Sequence, residues 1–372
     1  GLFSATSLPF TISGLGRVTD YSLRAVDYVN EKNAWAVGLS GTIIMTNDGG
    51  YTWSKQDSGT TADLFGVDFL TPHLGWVVGA NGTILRTVNG GHTWTPQASG
   101  TTVILYGVRF ATTNQGWVTG EGGLILYTVN GGTNWLTANS GSNRTLRGLS
   151  FTTATQLWAA GDQGEVLVSS DGGLTWVKQT SNTTLDLRSV SFAPASSKGW
   201  AVGREGRIIQ TQDGGATWSE KTVSASPVED FSAVQFVDEN KGWVVGNNGV
   251  IVKTTDGGNT WSGAPSGTAA DLFGVMFVHN PDGSAVGAGG TVLQSTDAGA
   301  TWFPENGIIA KNTTWPASIS PIQVVGPITV SQGVLLTIEA GVEVRFDSGK
   351  GIQVDGILIA KGTPTQPITF TA

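Results

Sequence analysis

The chain has 372 residues, with 54 glycines, 14 tryptophans, no cysteine and a net charge of −8. The missing cysteine excludes a disulfide scaffold, a Cys-ligated zinc or iron–sulfur site and a thiol nucleophile. With 13% charged and 39% hydrophobic residues the composition is compact and turn-rich; its scattered Lys and Arg give no basic patch for nucleic acid, and no apolar run is long enough for a membrane-spanning helix.

The chain opens at Gly1 without a basic-then-apolar leader, as expected of a secreted chain after signal-peptide removal. Residues 1–20 read as an N-terminal segment, in which LPFTISGLGRV at 8–18 holds a short strand-like run. A box of the form Ser/Thr-x-Asp/Asn-x-Gly-x-x-Trp then occurs seven times. It reads TNDGGYTW at 46–53, TVNGGHTW at 87–94, TVNGGTNW at 128–135 and SSDGGLTW at 169–176. TQDGGATW at 211–218, TTDGGNTW at 254–261 and STDAGATW at 295–302 complete the set. Its acidic or amide residue recurs at Asp48, Asn89, Asn130, Asp171, Asp213, Asp256 and Asp297, in steps of 41, 41, 41, 42, 43 and 41 residues.

Between boxes each unit reads alike. Leu64-Phe65-Gly66-Val67-Asp68-Phe69 alternates with strand period. Gly75-Trp76-Val77-Val78-Gly79 follows, then the turn Ala80-Asn81-Gly82, then Thr83-Ile84-Leu85-Arg86-Thr87. Asn-Gly between two β-rich runs is a strong hairpin signal. The box makes the next tight turn and its Trp opens a fourth strand. Four short strands in about 41 residues, seven times over, predict an all-β, seven-bladed β-propeller over 21–303.

Two further periodicities fit that ring. Trp53, Trp94, Trp135, Trp176, Trp218, Trp261 and Trp302 belong to the boxes, and Trp35, Trp76, Trp117, Trp158, Trp200 and Trp243 to the second strands. The seventh unit has Ser284 at the latter place, and only Trp315 lies outside the array. One tryptophan per strand position per blade is expected to fill the space between sheets. The first strand carries a small residue at one fixed place, at Ala25, Gly66, Gly107, Gly148, Ser189, Ala233 and Gly274, where strands crowd toward the axis. Residues 8–13 are then expected to lend an outer strand to the last blade and close the ring, a device that removes a free edge.

The boxes match the Asp-box (BNR) repeat of sialidases and of many non-catalytic propellers. The fuller pattern, GWVVGxxGTIxxTxDGGxTW, most resembles the photosystem II stability/assembly factor (Ycf48-like) propellers, over roughly residues 20–303. The resemblance implies a structural Asp-box turn. Its side chain accepts backbone N–H bonds while glycines supply positive φ, which Asn89 and Asn130 permit as well as Asp. One carboxylate per turn is too few for calcium, and His73, His92 and His279 form no metal-binding pair. No metal and no cofactor is expected.

A sialidase needs an arginine triad, a Tyr/Glu pair and an Asp acid, and the ten arginines here do not map onto equivalent loops as a triad. No G-x-S-x-G, P-loop or H-E-x-x-H occurs, so no catalytic residue is assigned and no enzyme is expected. The turns between second and third strands vary from blade to blade, unlike the boxes, and emerge on the opposite face. On that face Glu121, Arg144, Arg147, Asp162, Arg188, Arg204 and Glu205 form the candidate surface for a protein or glycan partner. The Ycf48-like family carries an arginine patch, whose positions do not transfer here residue by residue.

After Trp302 the register ends. A linker at 304–320, with Pro304 and Pro316, leads into a β-rich segment at 321–372 (ITVSQG, LLTIEAG, VEVRF, GIQVDGILIAKG) that resembles the opening coils of a right-handed parallel β-helix. No cap is visible before Ala372, so either the native chain continues or another subunit covers the end; self-association through 321–372 is one expectation. Low charge with abundant Thr, Ser, Asn and Gly suits an extracellular, cell-surface or periplasmic setting. The leading reading is a non-catalytic interaction or scaffold module on a β-helix-like segment. A filament subunit and a glycosidase-like enzyme, with two carboxylates on facing loops, stay open beside it.

Overall fold

The computed structural model describes residues 19–371 except 51, 52, 224–228, 280, 281, 296, 305–307, 310, 311, 316, 318, 319, 321, 325–327 and 347–350. Seven four-stranded antiparallel sheets follow one another, each with its strands in chain order. Their first strands are Leu23–Tyr28, Leu64–Phe69, Leu105–Phe110, Leu146–Phe151, Leu187–Phe192, Phe231–Phe236 and Leu272–His279. Each touches the next, and the last touches the first. This is a closed seven-bladed propeller with the first strands round its axis. A Cβ on Gly148 would fall 2.8 Å from the backbone nitrogen of Val190 in the next blade, which is why that position stays small.

The core is a ring of blade interfaces. Second strands such as Gly75–Gly79 are buried throughout, whereas fourth strands such as Ser54–Gln56 are largely exposed at the rim. At five seams the second-strand Trp of one blade stacks on the first-strand Phe of the next, as Trp35 on Phe69 at 3.5 Å, Trp76 on Phe110 at 3.5 Å and Trp200 on Phe236 at 3.4 Å, while Trp117 meets Phe151 tilted at 6.3 Å. The box Trp of that next blade meets the same Phe edge-on, as Trp94 meets Phe69 and Trp261 meets Phe236. Each second-strand indole N–H then donates to a box carbonyl in the next blade, as Trp117 does to Gly172 at 2.8 Å, so these six large rings leave no unpaired donor.

The box turns are held locally. In the fifth blade Thr211 Oγ1 donates to Asp213 Oδ1 and accepts the Gly215 N–H, while the Thr217 N–H and hydroxyl donate to the two carboxylate oxygens of Asp213. Asn89 and Asn130 accept the corresponding N–H groups of Thr93 and Asn134. These bonds hold the carboxyls of Asp171, Asp213 and Asp256 down to about 2, through the Thr hydroxyl first and the Thr N–H second.

At the closure, the Gly289 N–H donates to Ser22 Oγ at 3.2 Å, as the Ser40 N–H donates to Asp63 one blade on. Thr19 sits against Gly290 as Thr60 sits against Gly41. The fourth strand of the seventh sheet is Phe303–Pro304, paired with Val292–Ser295. The expected closing strand at 8–13 lies outside the described residues.

Beyond Phe303–Pro304 the pairing turns parallel. Ile308–Ile309, Ile328–Val330 and Ile352–Val354 form one three-stranded sheet. Thr313–Trp315, Leu335–Ile338 and Ile357–Ala360 form a second, and Ile322–Val324, Glu343–Phe346 and Thr369–Thr371 a third. Each strand pairs with the third one after it, so the chain visits three sheets in turn over a buried interior that includes Trp315, Val330, Leu336 and Val344. Pairing starts at Ile308, inside the segment read as linker. Strands of two and three residues are too short to show a period, and the flanking prolines hid them.

Candidate binding site at the mouth of the axial channel

Every first strand carries a β-bulge at its second residue: register slips between Leu23 and Ala25, Leu64 and Gly66, Leu146 and Gly148, and likewise in the other blades. A bulge leaves one residue unpaired and re-aims its side chain. The seven bulge residues are Arg24, Phe65, Tyr106, Arg147, Arg188, Ser232 and Phe273, and all line one axial cavity of about 630 Å³. They stand where first strands begin and second strands end, on the face opposite the boxes.

Charge at this mouth is largely paired. Arg147 Nε donates to Asp162 Oδ1 at 2.7 Å and its Nη2 to Oδ2 at 3.2 Å, with the guanidinium 4.9 Å from the Tyr106 ring centre. Burial alone would lower the Arg147 pKa, but Asp162 and Tyr106 outweigh it and hold the pKa above its ordinary value. Arg188 donates to Asp230 at 2.8 Å, and Arg204 Nε lies 3.5 Å from Asp186. Arg24 differs. Its guanidinium sits 4.2 Å from the centre of the Phe273 ring, and its buried Nε has no hydrogen-bond partner. Burial pulls its pKa down, partly offset by Asp63 and Asp271.

Most of these carboxylates also brace turns. Asp63, Asp186, Asp230 and Asp271 accept the N–H of Ser40, Gln163, Glu205 and Asn248, each from the preceding blade. Glu121 accepts the Ile104 N–H at 3.3 Å.

Deeper along the axis the fifth residue of the first strand reaches the next blade. Asp27 Oδ2 accepts the Phe69 N–H at 2.7 Å and Asp68 Oδ2 accepts the Phe110 N–H at 2.8 Å. Arg109 Nη1 lies 3.0 Å from Asp68 and 3.8 Å from Asp27. Burial, then the Asp68 charge, pushes the Asp27 carboxyl up to about 7, against Arg109 and the Phe69 N–H.

Of the residues picked out in the sequence, the structure brings Arg147, Asp162, Arg188 and Arg204 to the mouth in ion pairs. Arg147 and Arg188 are bulge residues inside first strands rather than connector residues, because the bulge shifts them inward. Glu121 and Glu205 occupy the turns, Glu205 in left-handed backbone, and Arg144 makes no ion pair with a described residue. Arg24, Phe65, Tyr106, Ser232 and Phe273 were missed. The signal that could have found them is the residue immediately before the small one in every first strand. Among the described residues no His, Asp and Glu side chains gather to hold a metal, and no helix is long and apolar enough to cross a membrane.

The family model for the photosynthesis system II assembly factor YCF48 matches residues 57–144 and 181–268. Among solved structures the chain is similar to YCF48 bound to a D1 peptide, with 20% identity over 75% of this chain and 93% of that one and a TM-score of 0.63. YCF48 from Cyanidioschyzon merolae shows 22% identity over 75% and 96%, with a TM-score of 0.63. The GH74 xyloglucanase from Xanthomonas campestris shows 12% identity over 79% and 55%, also with a TM-score of 0.63. At these identities the structures share a fold. A search of curated proteins finds no sequence match.

Proposed function

We propose, taking a Ycf48-like Asp-box propeller as the premise, that this is a non-catalytic interaction module, secreted or on the cell surface, whose channel mouth docks an extended segment of a protein partner. The observation that carries the reading is the bulge ring, which turns seven non-equivalent side chains into one concave cavity on a rigid scaffold. Phe65 and Tyr106, 5.4 Å apart, with Phe273 supply aromatic walls, and the arginines and Ser232 supply donors. The similar YCF48 structure with a D1 peptide supports a protein ligand.

The carboxylates here favour binding over glycosidase chemistry. A general acid must hold a proton and reach the scissile oxygen, whereas Asp162, Asp186 and Asp230 are tied to guanidinium groups. The test is selection of peptides from a displayed random library on the folded protein, followed by binding to Ser232→Trp, which fills the mouth. Selected peptides should lose the variant. Peptides that bind both equally would put the partner surface elsewhere.

A further inference from the structure

We infer that Arg24 is the carboxylate-binding residue of this mouth, taking either the free C-terminus or an acidic side chain of a docked peptide; the inference rests on the peptide reading above. Five arginines line the cavity, and Arg109, Arg147, Arg188 and Arg204 each face a carboxylate of the protein itself. Among the described residues the Arg24 side chain makes no ion pair and no hydrogen bond. Its Nε is buried without a partner, and its Cζ sits over the Phe273 ring, 4.2 Å from the ring centre. With no described carboxylate within ion-pair distance, the Arg24 guanidinium meets an arriving acceptor without giving up an internal partner, as Arg147, Arg188 and Arg204 would have to.

The local chemistry selects the acceptor. A guanidinium presents its N–H groups as a planar fork that a carboxylate meets with two parallel bonds. The Phe273 ring beneath holds the cation in place at the wall. Asp63 and Asp271 act on Arg24 electrostatically from beyond ion-pair distance, and each is already engaged with a turn amide, of Ser40 and Asn248. Neither is placed to fill the site. Ser232 and Phe65, elsewhere in the same ring, carry no charge to compete.

The experiment uses the full chain and three peptides: acetyl-Gly-Gly-Ala-Leu with a free carboxylate, the same peptide as its amide, and acetyl-Gly-Asp-Ala-Leu amide. Binding is followed through the arginine Nε–Hε NMR signals, and the melting temperature checks that variants fold. The free-carboxylate peptide or the Asp peptide should shift the Arg24 signal and bind about tenfold or more tightly than the amide. Which of the two does so identifies the source of the carboxylate. Arg24→Gln should erase that difference at an unchanged melting temperature, and Arg24→Lys should keep part of it. Equal binding of all three peptides to the wild type, or an unaltered preference in Arg24→Gln, overturns the carboxylate site and leaves the peptide reading standing. Failure of all three to bind, together with failure of library selection, removes both.

Discussion

Six of the blade interfaces and the seventh solve one problem with different chemistry. From blade 1 to blade 7, a second-strand Trp packs on the Phe of the next blade and donates to its box carbonyl, as Trp200 does on Phe236 and to Gly257. Between blade 7 and blade 1 the Trp is Ser284 and the Phe is Tyr28. The Tyr28 hydroxyl pairs with Ser284 Oγ at 2.7 Å and donates to the Gly49 carbonyl at 3.3 Å, and Gln294 Nε2 donates to the same carbonyl at 2.6 Å. The box carbonyl is satisfied at both kinds of seam. What differs is the ring area that comes with the donor, so this joint relies more on hydrogen bonds and less on burial.

The comparison breaks most visibly at an aromatic seam. Trp200→Ala removes a fully buried indole, its stacking on Phe236 and the bond to Gly257, and should cost about 3–5 kcal/mol in urea unfolding. At the closing seam Tyr28→Phe or Ser284→Ala removes hydroxyl bonds while keeping most of the volume, and each should cost about 1–2 kcal/mol. If Tyr28→Phe proves as damaging as Trp200→Ala, the closing seam is not the lighter joint.

Much of this was legible because a repeat averages out local noise. The box and the small first-strand residue recur seven times and the second-strand Trp six, so Ser284 stood out as the exception. The channel mouth was less legible for the same reason. Its ring is Arg24, Phe65, Tyr106, Arg147, Arg188, Ser232 and Phe273, which share a position but no single chemistry, so no motif joins them. A bulge is a hydrogen-bond event, visible only once partner strands are in register. Likewise, nothing in the spacing of Asp27, Asp68 and Arg109 announces that a buried cluster links the first three blades near the axis.

That cluster extends the comparison to the inner seams. The acceptor toward the next blade is Asp27, Asp68, Ser150, Ser191 or Gln235, while Met276 at the closing seam offers no oxygen. Only the first two ionise. The Asp27 carboxyl titrates near 7 in the folded protein, above its ordinary value of 3.8. Between those values the native state holds a proton that the unfolded chain has released, so stability falls as pH rises from about 4 to 7 and levels off above. The expected result is a melting temperature lower at pH 8 than at pH 5, with a slope that Asp27→Asn flattens. A Ser191→Ala control should weaken its seam without changing that slope. An unchanged slope in Asp27→Asn would move the titration to another group.

The smallest effect should come from the boxes, where charge and hydrogen bonding can be separated. Asp213 uses both carboxylate oxygens within its own turn, whereas Asn89 and Asn130 hold equivalent turns with one carbonyl oxygen accepting an N–H. Asp213→Asn should therefore lower the melting temperature only slightly at neutral pH, and Asp213→Ala more, because the Thr217 N–H then loses its acceptor. The Asp213 pKa is depressed, so its contribution is present above the ordinary carboxylate value and fades as pH falls toward about 2. At pH 2 to 3 the wild type and Asp213→Asn should converge. If Asn and Ala substitutions are equally costly at pH 7, the carboxylate charge matters to the turn beyond its two bonds, and the Asn-containing blades must be held by something else.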